Sequence, residues 1–311
     1  MLVVGDLVLD VVLAAARPIE RSTDVPGRVE IRQGGSAATT ARWLARLGIK
    51  TQLVCAVGRD GAGRSLVQQL DRDGVTVRAT RVAGQRTGRI GVLVGPGGER
   101  SFVADRRAAD RLDPDDLHPE WFDRIDLLHL PAYSLLGEPL GRAGNRAIAL
   151  ARERGALVTL DLASIAPLLA GGRHAARELV RSAAPDVLFA TEPEADALMG
   201  GHATDGLLEF AAVVVLKRGN RGASVIARDP ARSGTESEVP PPLRFEVATP
   251  TVPASDTTGA GDAFDAGFIA AWLAARASGR PAADALHRGT LGGHRTAARQ
   301  LTGPRIELPP G

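Results

Sequence analysis

The sequence predicts an α/β protein built on a largely parallel β-sheet. Short runs rich in β-branched residues alternate with longer Ala/Leu/Arg stretches of helical period, which is the pattern of repeated βαβ units. Glycines follow several of the helical stretches, at the position where a helix ends and the chain turns. With 311 residues, the chain is long enough to bury a sizeable core of this kind.

Seven short apolar segments are the predicted strands of this sheet. They lie at residues 2–4, 52–57, 126–130, 157–160, 186–190, 213–216 and 223–227. Four predicted helices carry apolar residues at helical spacing and stop at a glycine. They cover residues 36–47, 62–72, 140–154 and 262–277, and the glycines that follow them are Gly48, Gly74, Gly155 and Gly279.

Two segments interrupt this alternation and predict a small antiparallel lid over the active edge of the sheet. Residues 11–32 form the first, and residues 89–104 form the second. The second holds two apolar runs around Gly95-Pro96-Gly97-Gly98, which is typical of a β-hairpin closed by a Gly/Pro turn. We expect one domain over residues 1–311 with these segments inserted, and a polar, Pro-rich loop at residues 229–242.

The composition is that of an ordinary globular protein, with 44% hydrophobic and 24% charged residues. The net charge is +2 and the arginines are scattered, so nucleic-acid binding is not expected. Cys55 is the only cysteine, which excludes an internal disulfide and a multi-cysteine zinc site. No apolar run approaches the roughly 20 residues that cross a bilayer, and no signal-peptide pattern opens the chain. We therefore expect a cytoplasmic protein without a membrane partner.

The clearest chemical signal is the segment Asp256-Thr257-Thr258-Gly259-Ala260-Gly261-Asp262, which joins an extended stretch to a long helix. A helix N-terminus offers unpaired N–H groups and roughly half a positive charge, and small side chains let an anion approach the backbone. The segment therefore predicts an anion hole for a transferring phosphoryl group. Asp262 lies beside that hole, where a carboxylate can take the proton of an attacking hydroxyl.

A plainer explanation is that Asp256 and Thr257 cap the helix and that the glycines only permit a tight turn. An aspartate inside the first helical turn, beside three small residues, favours the functional interpretation of the whole segment. The chain has no GxxxxGK[ST] sequence, so a kinase of the Walker type is excluded.

Followed by Ala263-Phe264 and Ala266-Gly267-Phe268, this segment resembles the second signature of the PfkB, or ribokinase-like, carbohydrate kinase family. The resemblance implies a ribokinase-like three-layer α/β/α sandwich with a mainly parallel central sheet and a small antiparallel β lid. It also implies ATP and Mg²⁺ as cofactors and transfer to a sugar or nucleoside hydroxyl. In that scheme Asp262 is the base, and the residues of the anion hole are Gly259, Ala260, Gly261 and Asp262.

Weaker matches extend the resemblance over nearly the whole chain and imply where the acceptor binds. Residues 5–10 resemble the family's opening strand, residues 34–48 its first glycine motif, and residues 57–64 its VGxDxxG segment. Arg106 matches an arginine that some members direct at a substrate phosphate or carboxylate. Thr39 replaces the usual Asn and Pro131 replaces an acid of ribokinases, which argues against ribose. The implied acceptor-binding residues are Asp10, Gly34, Gly35, Thr39 and Arg106.

Other matches imply the nucleotide side of the site. Thr191-Glu192-Pro193-Glu194 resembles an NxxE motif in which the acid, Glu194, organises Mg²⁺ through water. The plainer explanation of Glu194 is an acid in a first helical turn. Residues 217–223 resemble the nucleotide-side loop, with Lys217 available to neutralise phosphate charge. The implied ATP-binding residues are Thr191, Lys217, Gly219, Gly222 and Gly292, and Asp256 is a candidate K⁺ ligand.

The acceptor itself stays open at this stage. The chain has only 7 Phe, 1 Tyr and 3 Trp, which favours a sugar or sugar derivative over a nucleoside whose base needs aromatic cover. A nucleoside kinase of the same family and a non-catalytic sensor of sugars or nucleotides are the alternatives. An exposed edge of the lid sheet would need covering, so we also expect a homodimer formed through the lid.

Overall fold

A nine-stranded sheet forms the centre of the protein in the computed structural model. The structure describes residues 1–95, 100–201, 204–228, 241–252, 256–304 and 308. The strands are β1 (Leu2–Val4), β2 (Val8–Ala15), β3 (Gly27–Gly34), β4 (Thr51–Gly58), β5 (Val75–Val82), β6 (Arg89–Val94), β7 (Arg100–Asp105), β8 (Leu127–Pro131), β9 (Leu157–Asp161), β10 (Val187–Thr191), β11 (Val213–Lys217), β12 (Ala223–Ala227) and β13 (Leu243–Val247). The α-helices are α1 (Ser36–Arg46), α2 (Gly61–Arg72), α3 (Leu140–Glu153), α4 (Ile165–Leu168), α5 (Gly172–Ala183), α6 (Glu192–Met199), α7 (Ala260–Ala277) and α8 (Ala282–Thr302).

The central sheet has the order β13-β12-β11-β10-β9-β8-β1-β4-β5 among the described residues. Every pair from β11 to β5 is parallel, and β12 and β13 are antiparallel additions at one edge. The strand order reverses at β1, which lies between β8 and β4. In open α/β sheets ligands bind outside the carboxyl ends of the strands at such a reversal.

Two helical layers cover this sheet because its inner strands are apolar on both faces. Leu2 and Val4 of β1 join a core with α3, α5 and α6, whereas Val3 joins a second core with α1, α2, α7 and α8. The predicted three-layer α/β/α sandwich is therefore confirmed. Among the described residues, no helix combines the length and apolar character that a membrane crossing requires.

The lid consists of β2, β3, β6 and β7, in the order β3-β2-β6-β7. The pairs β2–β3 and β6–β7 are antiparallel hairpins, and a parallel pair, β2–β6, joins them. The predicted lid is thus present. Hydrogen bonds that join Thr87 to Gly58 and Asp60 hold its base. Asp60 caps α2 and accepts the Thr87 N–H at 2.9 Å and hydroxyl at 2.6 Å. Residues 96–98 of the predicted Gly/Pro turn at 95–98, and most of the predicted loop at 229–242, lie outside the described residues.

All seven predicted strands are present in the central sheet. Two further strands at the edges of the sheet were not predicted. β5 is a polar edge strand that includes Arg78 and Arg81, so it lacks an apolar run. β13 alternates between half-buried and exposed residues at the opposite edge. α7 begins at Ala260, two residues before the predicted start, because Gly259 provides its N-cap.

Candidate active site

A cavity of about 1160 Å³ lies between the lid and the carboxyl ends of the central strands. Residues following β1, β8, β9, β10 and β11 form its floor, and the inner face of the lid forms its roof. Eleven of the predicted site residues line it together: Asp10, Gly34, Gly35, Thr39, Arg106, Thr191, Glu194, Lys217, Gly259, Gly261 and Asp262. The sheet topology thus gathers residues that are up to 252 positions apart in the chain, from 10 to 262.

The first turn of α7 opens on this cavity. Gly259 is the N-cap and has a φ of 74°, a left-handed conformation that favours glycine. A Cβ atom at Gly259 would also lie 3.0 Å from the Gln300 side-chain nitrogen. The Ala260 N–H donates to the Thr257 carbonyl at 3.2 Å, so this amide is already hydrogen-bonded within the turn that precedes the helix. The next amides, of Gly261 and Asp262, belong to the turn whose N–H groups lack helical partners.

Asp262 is held in place by α1. The Ser36 hydroxyl donates to Asp262 Oδ1 at 2.6 Å. Burial raises the pKa of Asp262 to about 7, and the charges of Asp161 and Asp6 add to this increase. The hydrogen bond from Ser36 and the charge of Lys217 act in the opposite direction. A carboxyl that titrates near neutrality is well matched to taking a proton from a hydroxyl.

Lys217 lies beside Gly261 in a cluster of buried charges. Its Nζ is 2.9 Å from Asp161 Oδ1 and 3.2 Å from both carboxylate oxygens of Asp265. A Cβ atom at Gly261 would lie only 3.4 Å from the same nitrogen. The neighbouring carboxylates, with Glu194 among them, outweigh desolvation and raise the pKa of Lys217 above its usual range. The ammonium is therefore charged and joins β11, β9 and α7.

Glu194 and Thr191 form a capping box at the start of α6. The Thr191 N–H donates to Glu194 Oε2 at 2.7 Å, and the Glu194 N–H donates to the Thr191 hydroxyl at 3.4 Å. The plainer explanation of this acid, a role in the helix terminus, is thus borne out. Both residues also line the cavity. Burial, followed by the charge of Asp161, raises the pKa of Glu194.

The described part of the chain contains no three His, Cys, Asp or Glu side chains placed to hold a metal ion together. Mg²⁺ commonly takes one or two carboxylates and completes its shell with water and substrate phosphates. Glu194 lines the cavity and can supply such a carboxylate, so the lining fits that mode of binding. It does not fit an all-protein cage.

Asp10 lies on the lid strand β2 and lines the cavity. It pairs with Arg32 across the β2–β3 ladder. A Cβ atom at Gly34 would overlap the Asp10 carboxylate, so only glycine leaves room for that side chain. Burial raises the pKa of Asp10 to about 7, helped by the charges of Asp6 and Asp256 and opposed by Arg32. Asp10 thus titrates in the same range as Asp262.

Arg106 lines the same cavity and is oriented by three neighbours. It donates to Asp6 Oδ2 at 3.1 Å and to Asp110 Oδ1 at 2.7 Å, and its guanidinium lies 4.7 Å from the centre of the Tyr133 ring. Its Nη2 is buried and, among the described residues, has no hydrogen-bond partner. Thr39 differs, because its hydroxyl donates to the Gly35 carbonyl of its own helix at 2.9 Å.

Three predicted ATP-binding glycines are not part of the cavity lining. Gly219 and Gly222 shape the turn between β11 and β12, and a side chain at Gly222 would clash with the Val247 carbonyl. Gly292 is buried where α8 crosses α7, against the Gly267 carbonyl. Asp256 also lies outside the lining and bonds Arg32 of the lid at 2.7 Å. A nucleotide role for the three glycines stays a prediction.

Sequence reasoning missed several residues of the site. Ser36, Asp161 and Asp265 belong to the site because of contacts with residues that are distant in sequence. Asp6 was included only as part of the segment that resembles the family's opening strand. Ser36 carried one usable signal, since it follows Gly35 directly at the start of a helix. The other two carried none, because an acid at a strand end or inside a helix is common.

Comparisons with known proteins agree with this geometry. The chain matches the model of the pfkB family of carbohydrate kinases over residues 1–304. It is 31% identical over 267 residues to an ATP-dependent ribose-1-phosphate kinase of Halopiger xanaduensis, covering 82% of this chain and 80% of the relative. It is 30% identical over 244 residues to Fructokinase-1 of Zea mays, covering 74% and 71%. The solved structure of adenosine kinase from Sinorhizobium meliloti matches with a TM-score of 0.80 at 22% identity, covering 99% and 96%.

The fold and the site define an enzyme that transfers a phosphoryl group to a hydroxyl. The chain belongs to the pfkB family of carbohydrate kinases. The resemblance recognised in the 256–262 segment is thereby confirmed. ATP is the phosphoryl donor of this class, as the name of the Halopiger relative states for that protein.

Proposed function

We propose that this enzyme transfers the γ-phosphate of ATP to a hydroxyl of a sugar or sugar derivative, with Asp262 as the base. The observation that carries the proposal is the position of Asp262. It lies in the first turn of α7 and lines the same cavity as Asp10. Phosphoryl transfer depends chiefly on positioning and on charge stabilisation, and these residues can supply both.

In this mechanism Ser36 orients the Asp262 carboxylate through its 2.6 Å hydrogen bond. Asp262 accepts the proton of the acceptor hydroxyl as that oxygen forms a bond to the γ-phosphorus. The bond between the γ-phosphorus and the bridging oxygen breaks, and ADP leaves. The N–H groups of the first turn of α7 hold the oxygens of the transferred group. Asp10 holds hydroxyls at the far end of the acceptor.

Mg²⁺ bound with ATP would neutralise charge on the phosphates. We assign Glu194 to hold it through water, since this carboxylate lines the cavity. Lys217 receives a positioning role in place of the predicted contact with phosphate, because its ammonium already bonds Asp161 and Asp265. We do not carry the expected K⁺ ion at Asp256 into this proposal, because Arg32 bonds that carboxylate.

The free Nη2 of Arg106 supports an acceptor with an oxygen-rich group at that point, such as a hydroxyl, carboxylate or phosphate. A nucleoside is the second candidate, supported by Phe102 and Tyr133, which both line the cavity. Of the relatives, one is named for a phosphorylated sugar and the other for a free sugar. A phosphorylated acceptor should depend more strongly on Arg106 than its unphosphorylated counterpart.

A coupled assay of ADP release tests the proposal against sugars, sugar phosphates, sugar acids and nucleosides. We expect turnover with a sugar or sugar derivative and a loss of at least about 100-fold for Asp262→Asn with the same acceptor. Turnover with nucleosides alone would replace the first candidate by the second. Thermal stabilisation by ligands without any turnover across the panel would contradict both and favour a sensor.

We also propose that two copies associate through the outer face of the lid. Leu13, Val29, Ile31 and Val103 are exposed on that face, and Leu13 lies directly opposite Val29 in the ladder. The cavity lies on the other face, so association would leave it open. Light scattering should give the mass of a dimer, and Val103→Glu should convert it to a monomer; a wild-type monomer at micromolar concentration would contradict the proposal.

A further inference from the structure

Two lid arginines hold the start of the 256–262 segment. Arg32 of β3 donates from Nη1 to Asp256 Oδ2 at 2.7 Å. Arg100, the first residue of β7, donates to the Thr258 hydroxyl at 2.9 Å and also bonds the Thr257 hydroxyl. Both guanidinium groups are largely buried, with 15% and 24% of their side chains exposed. The segment that forms the anion hole is therefore tied to the lid as well as to the sandwich.

The Asp256 carboxylate already has donors on both oxygens. Oδ2 accepts from Arg32, and Oδ1 accepts the Thr258 N–H at 2.9 Å. Arg100 Nη1 lies 4.0 Å from the same Oδ1. A K⁺ ion bound by this carboxylate would lie beside two positive guanidinium groups and would have to compete with them. The described residues around Asp256 therefore do not fit the K⁺ site that the resemblance implies.

We propose that Arg32, supported by Arg100, takes the place of a monovalent cation at Asp256, so that the enzyme works without K⁺. The inference rests on the proposed function, since the group it organises is the anion hole. Arg32 is a positioning residue in this scheme. It neutralises Asp256 and fixes the turn that leads into Gly259 and α7.

The same arginine links this turn to the acceptor end of the cavity. Arg32 pairs with Asp10 in the β2–β3 ladder, and its charge opposes the rise in the pKa of Asp10. A cation that came from solvent would lack this covalent connection to the lid. Supplying the charge from β3 therefore makes the geometry of the anion hole depend on where the lid lies.

The test compares wild type with Arg32→Met in choline, sodium and potassium chloride at one ionic strength. The wild-type kcat should change less than about twofold among the salts. Arg32→Met should lose about 10- to 100-fold in choline, because the misplaced turn displaces the anion hole. Potassium should restore much of that loss, since its charge can replace the guanidinium. The double variant Arg32→Met/Asp256→Asn should not respond to potassium, because the charge that needs neutralising is gone.

Arg28→Met is the matched control. Arg28 lies on the same strand and has 77% of its side chain exposed, and among the described residues it forms an ion pair with Glu30, at 3.6 Å. It should behave as wild type in all three salts. Strong activation of wild type by potassium would overturn the inference. So would an Arg32→Met variant that keeps full activity in choline, or one whose loss potassium does not reduce.

Thermal unfolding provides a readout that does not depend on turnover. Potassium should raise the Tm of Arg32→Met relative to choline, and it should leave the Tm of wild type and Arg28→Met unchanged. This result would support the inference even if every acceptor in the panel failed. A potassium-dependent Tm of wild type would overturn it while leaving the proposed kinase activity intact.

Discussion

Asp262 and Asp10 line one cavity and differ mainly in the elements that carry them. Burial raises the pKa of each carboxyl to about 7. Asp262 lies on α7, accepts a hydrogen bond from Ser36 and is influenced by the charge of Lys217. Asp10 lies on a lid strand, where its main counter-charge is Arg32. Burial is the largest cause of both shifts in pKa; Asp161 and Asp6 add to it at Asp262, and Asp6 and Asp256 add to it at Asp10. The support of the two carboxyls differs, because Asp262 lies on a helix packed in the sandwich and Asp10 lies on a lid strand.

This difference separates the chemistry from the choice of acceptor. Substitutions in the sandwich around Asp262 should change kcat with every acceptor, because several packed elements fix the base. Substitutions on the inner face of the lid should change which acceptor binds, because Asp10 lies on the lid and Arg106 directly follows its last strand. The outer face of the lid is free to serve association.

The largest effect should come from Asp262→Asn. Without the base, kcat should fall by about 100- to 10,000-fold, which is the usual contribution of general base catalysis. Binding of ATP and of the acceptor should remain within a few fold of wild type, since the amide keeps the shape of the carboxylate. Steady-state kinetics and isothermal titration calorimetry check both parts. A variant with a near-normal rate would remove Asp262 from this role.

Lys217→Met should have the next largest effect, on stability as well as rate. It leaves Asp161 and Asp265 buried without their counter-charge, and breaking such a buried pair typically costs about 3–5 kcal/mol. Urea unfolding measures this change in the free energy of unfolding. The double variant Lys217→Met/Asp265→Asn should regain part of the loss because it removes one of the two stranded carboxylates. Equal stability of the single and double variants would contradict this account.

Asp10→Asn should have a smaller effect that is confined to the acceptor. Loss of charge-assisted hydrogen bonds should lower kcat/KM for the acceptor by about 10- to 100-fold. The KM for ATP should change little, because Asp10 lies on the lid strand β2, whereas the groups proposed to hold Mg²⁺ and the phosphates lie at the starts of α6 and α7. An equal loss in both parameters would show that the lid carboxylate acts on the whole site.

The smallest effect is the pH dependence, and it distinguishes the two carboxylates. Because Asp262 must be deprotonated to accept a proton, kcat/KM for the acceptor should fall as pH drops below about 7. Asp10 titrates in the same range, so Asp10→Asn should make that decline shallower. Lys217→Met should move its midpoint to higher pH, because Lys217 lowers the pKa of Asp262. A flat profile between pH 5.5 and 8, a range of about one to two pH units on each side of the expected value, would contradict the assignment of the base.

Local sequence determined the parts of the site that lie within one short segment. Residues 256–262 contain the proposed base, the left-handed Gly259 and the start of the first turn of α7, because a helix N-terminus is made by neighbours in the chain. The seven predicted strands were found for a similar reason, since strands buried on both faces are continuous apolar runs. The polar edge strand β5 was missed because it lacks that signal.

Only the tertiary structure decided which groups meet across the chain. Ser36 bonds a residue 226 positions away, and Arg32 bonds one 224 positions away. The partners of Lys217 were equally hidden in the sequence, because a lysine at a strand end can contact solvent, a phosphate or a buried carboxylate. The structure shows that its partners are Asp161 of β9 and Asp265 of α7. The sequence by itself thus determined the fold class and the phosphoryl-transfer segment. Which charged groups pair was decided by the tertiary structure. A Coulomb interaction depends on the separation of the charges in space and on their burial, and a local sequence pattern gives neither.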